Sequence, residues 1–457
     1  MQEDFAAHAK AGASPRELAG LFLDVYYEGE TPALPVNPFK ILKDMGIIFS
    51  FRNFKTYEGV YIPAEDEDDV PIVGINADRQ ITRQRYTAAH ELCHHIKDAR
   101  REYICDINKM TQLERYAESF AAELLMPHAM LVEQVAAYQV DGYVSFQDAL
   151  KIADCFGVSF AACINQLAYE LGVIKGDISS SELARRRNEF KPAFRRREQG
   201  MNDLVLYRQL FDIGEDYLKV DVSPRSRQLF ETEYVFHDSR MEGIAIEHED
   251  AAEIVVDLRL KRQGSRYCDG SNKGAIEVAG LALAYEWVFD TAAAPERDFS
   301  LNDIRTINNI LFSAAPYPEH GGSPRQANTL VIGGGFETVD YLKIEEEMFL
   351  LGEDLNRLVE TYDGLSVGEY IEQLQDIHHR LTVIHPFRDG NGRSIRAFIN
   401  LLLLRRGLPP VLFADKTKKE YKDSLTEADK TGSTTDLAEL YYKQMLMSHA
   451  VLTDNLF

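Results

Sequence analysis

The twelve residues His385-Pro-Phe-Arg-Asp-Gly-Asn-Gly-Arg-Ser-Ile-Arg396 leave the surrounding chain few ways to fold. Pro386 disfavours α geometry at His385, so the helical run Tyr370 to Ile384 ends there, and the apolar run Ile395 to Leu404 forms a new helix. The loop therefore feeds a helix N-terminus, where free N–H groups and the macrodipole favour an anion. It holds a candidate base (His385), a carboxylate able to bind a metal (Asp389), an amide between two glycines (Gly390, Asn391, Gly392) and two guanidiniums (Arg393, Arg396). That inventory suits a polyphosphate. Arg405, Arg406, Gly407 and Pro409 close the helix with last-turn cations, a C′ glycine and a breaker.

With 457 residues the chain is long enough for two or three domains, each with its own core. At 45% hydrophobic and 27% charged it reads as soluble and globular, with no apolar run as long as a membrane span. The N-terminus lacks the basic-then-apolar order of a secretion signal, so the expected location is the cytoplasm. Five scattered cysteines without a CxxC pair fit reduced thiols. A formal charge of −23 argues against a general nucleic-acid binder, because phosphate contacts need a basic face.

Residues 15 to 50 read as helix, proline-rich loop and second helix, followed by short strand-like runs at Ile47 to Phe51, Gly59 to Ile62 and Ile72 to Ile75. Ile81 to Lys97 is a helical pattern containing His90-Glu91-Leu92-Cys93-His94. The i, i+4 spacing puts His90 and His94 one turn apart on one face, able to share a tetrahedral zinc, with Glu91 placed as general base to a zinc-bound water. The next helix, Thr111 to Met126, offers Glu114 as a third ligand and Glu118 as a group behind it. A capping box, Thr111 with Glu114, competes for the same carboxylate without any metal.

The run Arg83-Gln-Arg-Tyr-Thr-Ala-Ala-His-Glu-Leu-Cys-His-His and the later Glu114-Arg-Tyr-Ala-Glu-Ser-Phe-Ala-Ala-Glu-Leu-Leu-Met-Pro resemble the ImmA/IrrE family of zinc peptidases. The resemblance covers roughly residues 15 to 175 and implies an α+β, zincin-like domain with His90, His94 and Glu114 as zinc ligands and Glu91 as base. Cys93 stands where glycine is usual and Glu118 where Asn or Asp is; neither removes a ligand. Residues 145 to 175 resemble the family's helical tail, and a DNA-reading helix-turn-helix is the alternative that the negative charge opposes.

Residues 176–200 carry two arginine triplets and are expected to be a linker between a domain at 1–175 and a second at 201–457. The second part reads as mainly helical, with a β-hairpin flap at 330 to 342. Residues 385 to 396 fill every fixed position of HxFx(D/E)GNGRxxR, and residues 205 to 445 thereby resemble the Fic family, an all-α fold. The resemblance implies transfer of AMP from ATP to a Ser, Thr or Tyr hydroxyl of a target protein. It implies His385 as base, Asp389 on Mg²⁺, Asn391 with the Gly390 and Gly392 backbone around the α-phosphate, Arg393 on the β-phosphate and Arg396 on the γ-phosphate. Tyr421, Leu425, Ala428 and Gly432 fit the family's C-terminal helix, and Tyr421 is expected on the nucleotide side. Asp238-Ser-Arg-Met-Glu-Gly resembles the family's inhibitory [ST]xxxE[GN], with Asp238 where Ser or Thr is usual and Glu242 set to pair with Arg396.

The expectation is thus a predominantly α, multidomain chain: a zinc peptidase that regulates or cleaves a partner or the chain itself, fused to an ATP- and Mg²⁺-dependent AMP-transferase restrained by Glu242. The alternatives are AMP removal by the same second domain, and a first domain that only senses. No membrane partner is expected, and an oligomer stays open.

Overall fold

A computed structural model of the chain describes residues 2–66, 68–98, 103–106, 111–213, 218–220, 223–261, 272–294, 298–329 and 338–453. The chain is multidomain and predominantly α-helical, in two compact units, Met1–Tyr217 and Leu218–Phe457.

In the first unit, helices α1 (Gln2–Lys10), α2 (Pro15–Tyr26) and α3 (Pro38–Asp44) precede strands β1 (Ile48–Arg52), β2 (Tyr57–Ile62) and β3 (Ile72–Asn76). With β4 (Tyr103–Asp106) these form one sheet in the order β1-β3-β2-β4. β1 runs parallel to β3, while β2 is antiparallel to both β3 and β4. The inner strand β3, Ile-Val-Gly-Ile-Asn, is buried along nearly its whole length, whereas the edge strand β1 alternates. Helix α4 (Ile81–Asp98) lies on β2 and β3 and packs along α5 (Gln112–Leu125). Helices α6 (His128–Tyr138), α7 (Phe146–Phe156) and α8 (Phe160–Asn165) follow.

One buried side chain ties these parts together. Arg85 on α4 has no exposed surface, and it donates to the carbonyls of Val36 (2.6 Å) and Gly157 (3.1 Å) and to Gln209 Oε1 (3.0 Å). Burial pulls its guanidinium down to about 9. Gln209 belongs to α11 (Leu204–Ile213), which is further held by Asn37 Nδ2 donating to the Gln209 carbonyl at 3.1 Å and by Lys43 Nζ donating to the Ile213 carbonyl at 2.9 Å.

The division between units therefore falls after Tyr217 and not in the expected linker at 176–200. That segment forms α9 (Ser180–Phe190) and α10 (Pro192–Glu198) within the first unit. Its arginines find local partners: Arg196 pairs with Asp203 (2.6 Å) and Asp154 (3.1 Å), and Arg186 lies 4.6 Å over the Phe146 ring. Arg185 also pairs with Glu182 and Glu189 of its own helix, and Arg195 with Glu198 of its own.

The second unit comprises α12 (Pro224–Met241), α13 (His248–Arg259), α14 (Lys273–Ala292), α15 (Asn302–Ser313), α16 (Ile344–Thr361), α17 (Val367–Ile384), α18 (Asn391–Arg405), α19 (Lys418–Thr431) and α20 (Thr435–Thr453). Among the described residues it has no strand beyond an isolated bridge between Pro324 and Phe387. Of the expected hairpin, residues 330–337 lie outside the described residues, and Tyr341–Lys343 is a short 3₁₀ turn.

The apolar run after the loop makes α18 the central helix, buried from Arg393 to Leu403 and packed against α14, α15 and α17. Helices α14 and α15 touch backbone to backbone: a Cβ on Gly280 would stand 2.0 Å from the Leu311 carbonyl oxygen. Helix α17 starts with a capping box, Ser366 with Glu369, and stops where the sequence requires, at His385, whose φ of 48° is left-handed.

Candidate functional site

The first site lies where α4 faces α5. His90 and His94 point the same way, as their spacing dictates, with Nε2 atoms 3.2 Å apart. Glu114 Oε2 stands 3.1 Å from His90 Nε2, and its Oε1 stands 3.9 Å from His94 Nε2. One ligand atom from each of the three lies within 4.8 Å of the others. Thr111 caps the helix, its Oγ1 accepting from Glu114 N at 3.2 Å, but the return half of a capping box is not made: the Glu114 carboxylate turns to the histidines instead. Two imidazole nitrogens and a carboxylate oxygen are a zinc donor set that leaves a fourth position, so the residues fit that ion.

Glu91 is fully buried, and neither carboxylate oxygen has a hydrogen-bond partner among the described residues. Burial, reinforced by the Glu114 charge and opposed by His90, pushes its carboxyl up to about 8. β2 passes so close that a Cβ on Gly59 would meet Glu91 Oε1 at 2.6 Å, which explains the glycine. Glu118, expected behind a ligand, is about one-third exposed and stands 4.0 Å from Arg83.

The second site is the loop between α17 and α18. His385 caps α17, Phe387 is buried beneath the loop, and Gly390 at φ 74° is the N-cap of α18. A Cβ on Gly390 would strike Leu311 at 2.7 Å, so the turn needs glycine both for its φ and for space. The Asn391 amide is turned back on the loop, accepting from Phe387 N and donating to Phe387 O, each at 2.8 Å. It was expected on a phosphate; here it closes the loop, because Pro386 has no N–H to do so.

Sequence reasoning missed the residues that hold this loop from outside. Asn308 on α15, fully buried, donates to the Asp389 carbonyl and to Ser394 Oγ, both at 3.0 Å, and accepts from Gly322 N at 2.8 Å. Arg325 lies under His385. Neither stands in a recognisable spacing, so no local signal exposes it.

Each guanidinium faces two carboxylates. Arg393 donates to Glu277 Oε2 on α14 at 3.1 Å and stands 3.7 Å from Asp389 Oδ1, while Asp389 itself remains exposed. Arg396 donates through Nε to Asp238 Oδ1 and through Nη2 to Glu242 Oε1, each at 2.5 Å. Burial works against the charge on Arg396, yet Asp238 and Glu242 hold its pKa well above the ordinary value. Burial also works to raise Glu242, but Arg396 and then Arg393 outweigh it and hold that carboxyl low. Burial dominates at Asp238 and raises it. The i, i+4 spacing of Asp238 and Glu242 was the available signal that both would face one cation.

Glu242 Oε1 also lies 2.9 Å from where a Gly392 Cβ would stand, over the first turn of α18. Arg396 and Asp238 are each 4% exposed, whereas the Glu242 side chain is one-third exposed and its pairing is weakened by solvent. Tyr421, expected on the nucleotide, is buried: its hydroxyl meets His378 Nε2 at 2.8 Å, and its ring lies 5.8 Å from the Arg396 guanidinium. His385 is drawn below the usual histidine range, first by burial and then by the Arg325 charge.

A histidine-capped loop opening into an arginine-lined helix start is an arrangement suited to an anion, and the first unit carries a group that can hold a metal. Residues 298–403 match the Fic/DOC family profile and residues 42–171 match that of the IrrE N-terminal-like domain, so the chain joins a domain of each kind. It is 26% identical over 231 residues to protein adenylyltransferase fic-1 of Caenorhabditis elegans, covering 50% of this chain and 43% of that protein. It is 24% identical over 271 residues to protein adenylyltransferase Fic of Nematostella vectensis, covering 57% of each. The chain thus spans about half the length of these curated relatives. Among solved structures, a Fic-domain signaling protein of Bacteroides thetaiotaomicron aligns with a TM-score of 0.44 at 19% identity, over 54% of this chain and 97% of that one. A fragment of Fic-1 from C. elegans aligns with a TM-score of 0.44 at 18% identity, over 74% and 88%.

Proposed function

We propose that the second unit transfers AMP from ATP to a hydroxyl of a target protein and is restrained by Glu242. The observation that carries this is the loop itself: a half-buried histidine, held below its usual range first by burial, beside a helix start whose two arginines each face two carboxylates. His385 takes the proton from the target hydroxyl, whose oxygen attacks the α-phosphorus as the bond to pyrophosphate breaks. Arg393 and Arg396, with the N–H groups of α18, hold the phosphates and offset developing charge. Asp389 is the residue that would hold Mg²⁺, which when bound neutralises phosphate charge. While Glu242 sits on Arg396 Nη2 and over the first turn of α18, the terminal phosphate is excluded by charge and by space.

In the first unit, His90, His94 and Glu114 would hold zinc, which supplies an activated water when bound. Glu91, fully buried and with its carboxylate free of hydrogen bonds among the described residues, is suited to accept and pass on a proton there. We assign it peptidase chemistry acting on a partner or on this chain.

The test for transfer uses α-labelled ATP and Mg²⁺ with lysate proteins as targets. Glu242→Gly should label at least one protein about tenfold or more above the unsubstituted chain, the equivalent of displacing a little over 1 kcal/mol of restraint. Adding His385→Ala should cut that label by about 10²–10⁴-fold. No label from Glu242→Gly sinks the reading; if that variant instead loses release of AMP from a pre-labelled protein, removal replaces transfer as the activity.

A further inference from the structure

Arg325 is a cation with an unusual set of partners. It is 5% exposed, and its guanidinium donates to backbone carbonyls: His385 from Nε (2.8 Å), Ala327 from Nη1 (2.8 Å), and Ile384 (3.3 Å) and Val339 from Nη2. Its own N–H donates to the Pro386 carbonyl at 2.9 Å, and the neighbouring Pro324 pairs with Phe387. Among the described residues no carboxylate lies within 4 Å of it; the nearest charge acting on it, Asp340, does so from farther away.

A buried charge without an adjacent counter-ion is costly, so the fold must gain something that a neutral side chain would not supply. Two gains are visible. The first is geometric: a planar fork with five donors reaches carbonyls of three separate stretches, and the stretch at its centre is His385, which holds φ 48°. A non-glycine residue in that region is strained and persists only where its surroundings over-determine it. The second is electrostatic. Burial is the largest influence on the His385 ring, and Arg325 is the next, both opposing a second proton, against Glu242 and Asp389, which favour it.

We propose that Arg325 is the positioning residue of the loop, fixing the backbone of His385 in its left-handed cap and keeping the imidazole free to accept a proton. It contacts the base and not the phosphate arginines, so its effect falls on turnover and on the pH at which turnover begins, and not on ATP binding. This rests on the transfer reading above, with His385 as base.

The experiment uses the full chain with Glu242→Gly as the working background, comparing Arg325→Lys and Arg325→Gln. Lysine keeps the charge and loses the fork; glutamine loses both the charge and most of the donors. Both should lower kcat by about 10–100-fold, the scale expected when a reacting group is misplaced by an ångström, with KM for ATP moving by less than about threefold. Arg325→Lys should leave the acidic limb of the rate profile where it is. Arg325→Gln should move it to higher pH by about half a unit or more, because the imidazolium loses its repelling neighbour. Wild-type kcat and an unmoved limb in both variants overturn the proposal. Absence of label from the Glu242→Gly background alone overturns the transfer reading instead. A measurement needing no folded variant stands beside these: in the unsubstituted chain, ¹³C-labelled His385 followed by NMR should titrate below about 6.5, and titration at or above that value also overturns the proposal.

Discussion

In the first unit, the nitrogens of His90 and His94 and the carboxylate of Glu114 converge on one small volume, whereas in the second each guanidinium of the loop already faces two carboxylates of its own chain. One site is a converging set of donor atoms of a kind that suits a cation. The other is assembled with its cations already answered, so binding an anion requires an exchange. The first is set by two neighbouring helices and a short spacing; the second draws Asp238 and Glu242 from α12 and Glu277 from α14.

The largest effect should come from the donor set. His90→Ala should lose essentially all of about one equivalent of zinc found by elemental analysis, while Glu91→Gln keeps it and loses any proteolysis. If Glu91→Gln also loses the metal, Glu91 belongs to the ligands and the contrast must be redrawn. If no partner protein is ever cleaved by the unsubstituted chain, the first unit is better described as sensing than cutting.

The exchange view is sharpened by the two carboxylates on Arg396. Glu242→Gly should tighten binding of a non-hydrolysable ATP analogue by about 10–100-fold, and Asp238→Asn by about tenfold or less, because Glu242 alone lies over the helix start while Asp238 acts from behind. Calorimetry with the ATP and ADP forms checks this. Equal gains from both substitutions would mean that charge count, and not position, sets the restraint.

The smallest effect concerns acid. His378, fully buried between Tyr421 and Tyr441 at 2.8 Å from each hydroxyl, is lowered to about 3 by burial. Its folded value lies below its unfolded value of about 6.5, so the neutral form stabilises the fold. That contribution is present in full above about pH 6.5 and is lost as pH falls from there toward 3. Urea unfolding at pH 7 and pH 5 should show the second unit weaker at pH 5, and His378→Asn should flatten the difference. An equal slope in the variant would place the acid sensitivity elsewhere.

Much of both sites was legible because short spacings carry their geometry with them. The interval between His90 and His94 fixes one helical face, and Pro386 with the glycines at 390 and 392 fixes a helix end followed by a helix start. Glu114 could be read two ways from spacing; the structure leaves the N-cap to Thr111 and turns the Glu114 carboxylate to the histidines. What stayed illegible was long-range: Asn308 and Arg325 reach the loop across 60 or more positions of chain, and their neighbours in sequence say nothing of it. The reach of the first compact unit was illegible for the same reason, since Gln209 and Lys43 tie α11 to it through contacts without periodicity. Asn391 shows the converse, a motif position whose side chain is used to close the loop before any ligand arrives.

The close passage at Gly280 has a genetic consequence. Because α14 and α15 meet backbone to backbone there, the helix bearing Glu277 and the helix bearing Asn308 are held in close register beside the loop. A methyl group added at that point pushes both partners of the loop outward together. In a scan that replaced every residue in turn, position 280 would sort with His385 and Arg396, although it offers no functional group and touches no reacting atom.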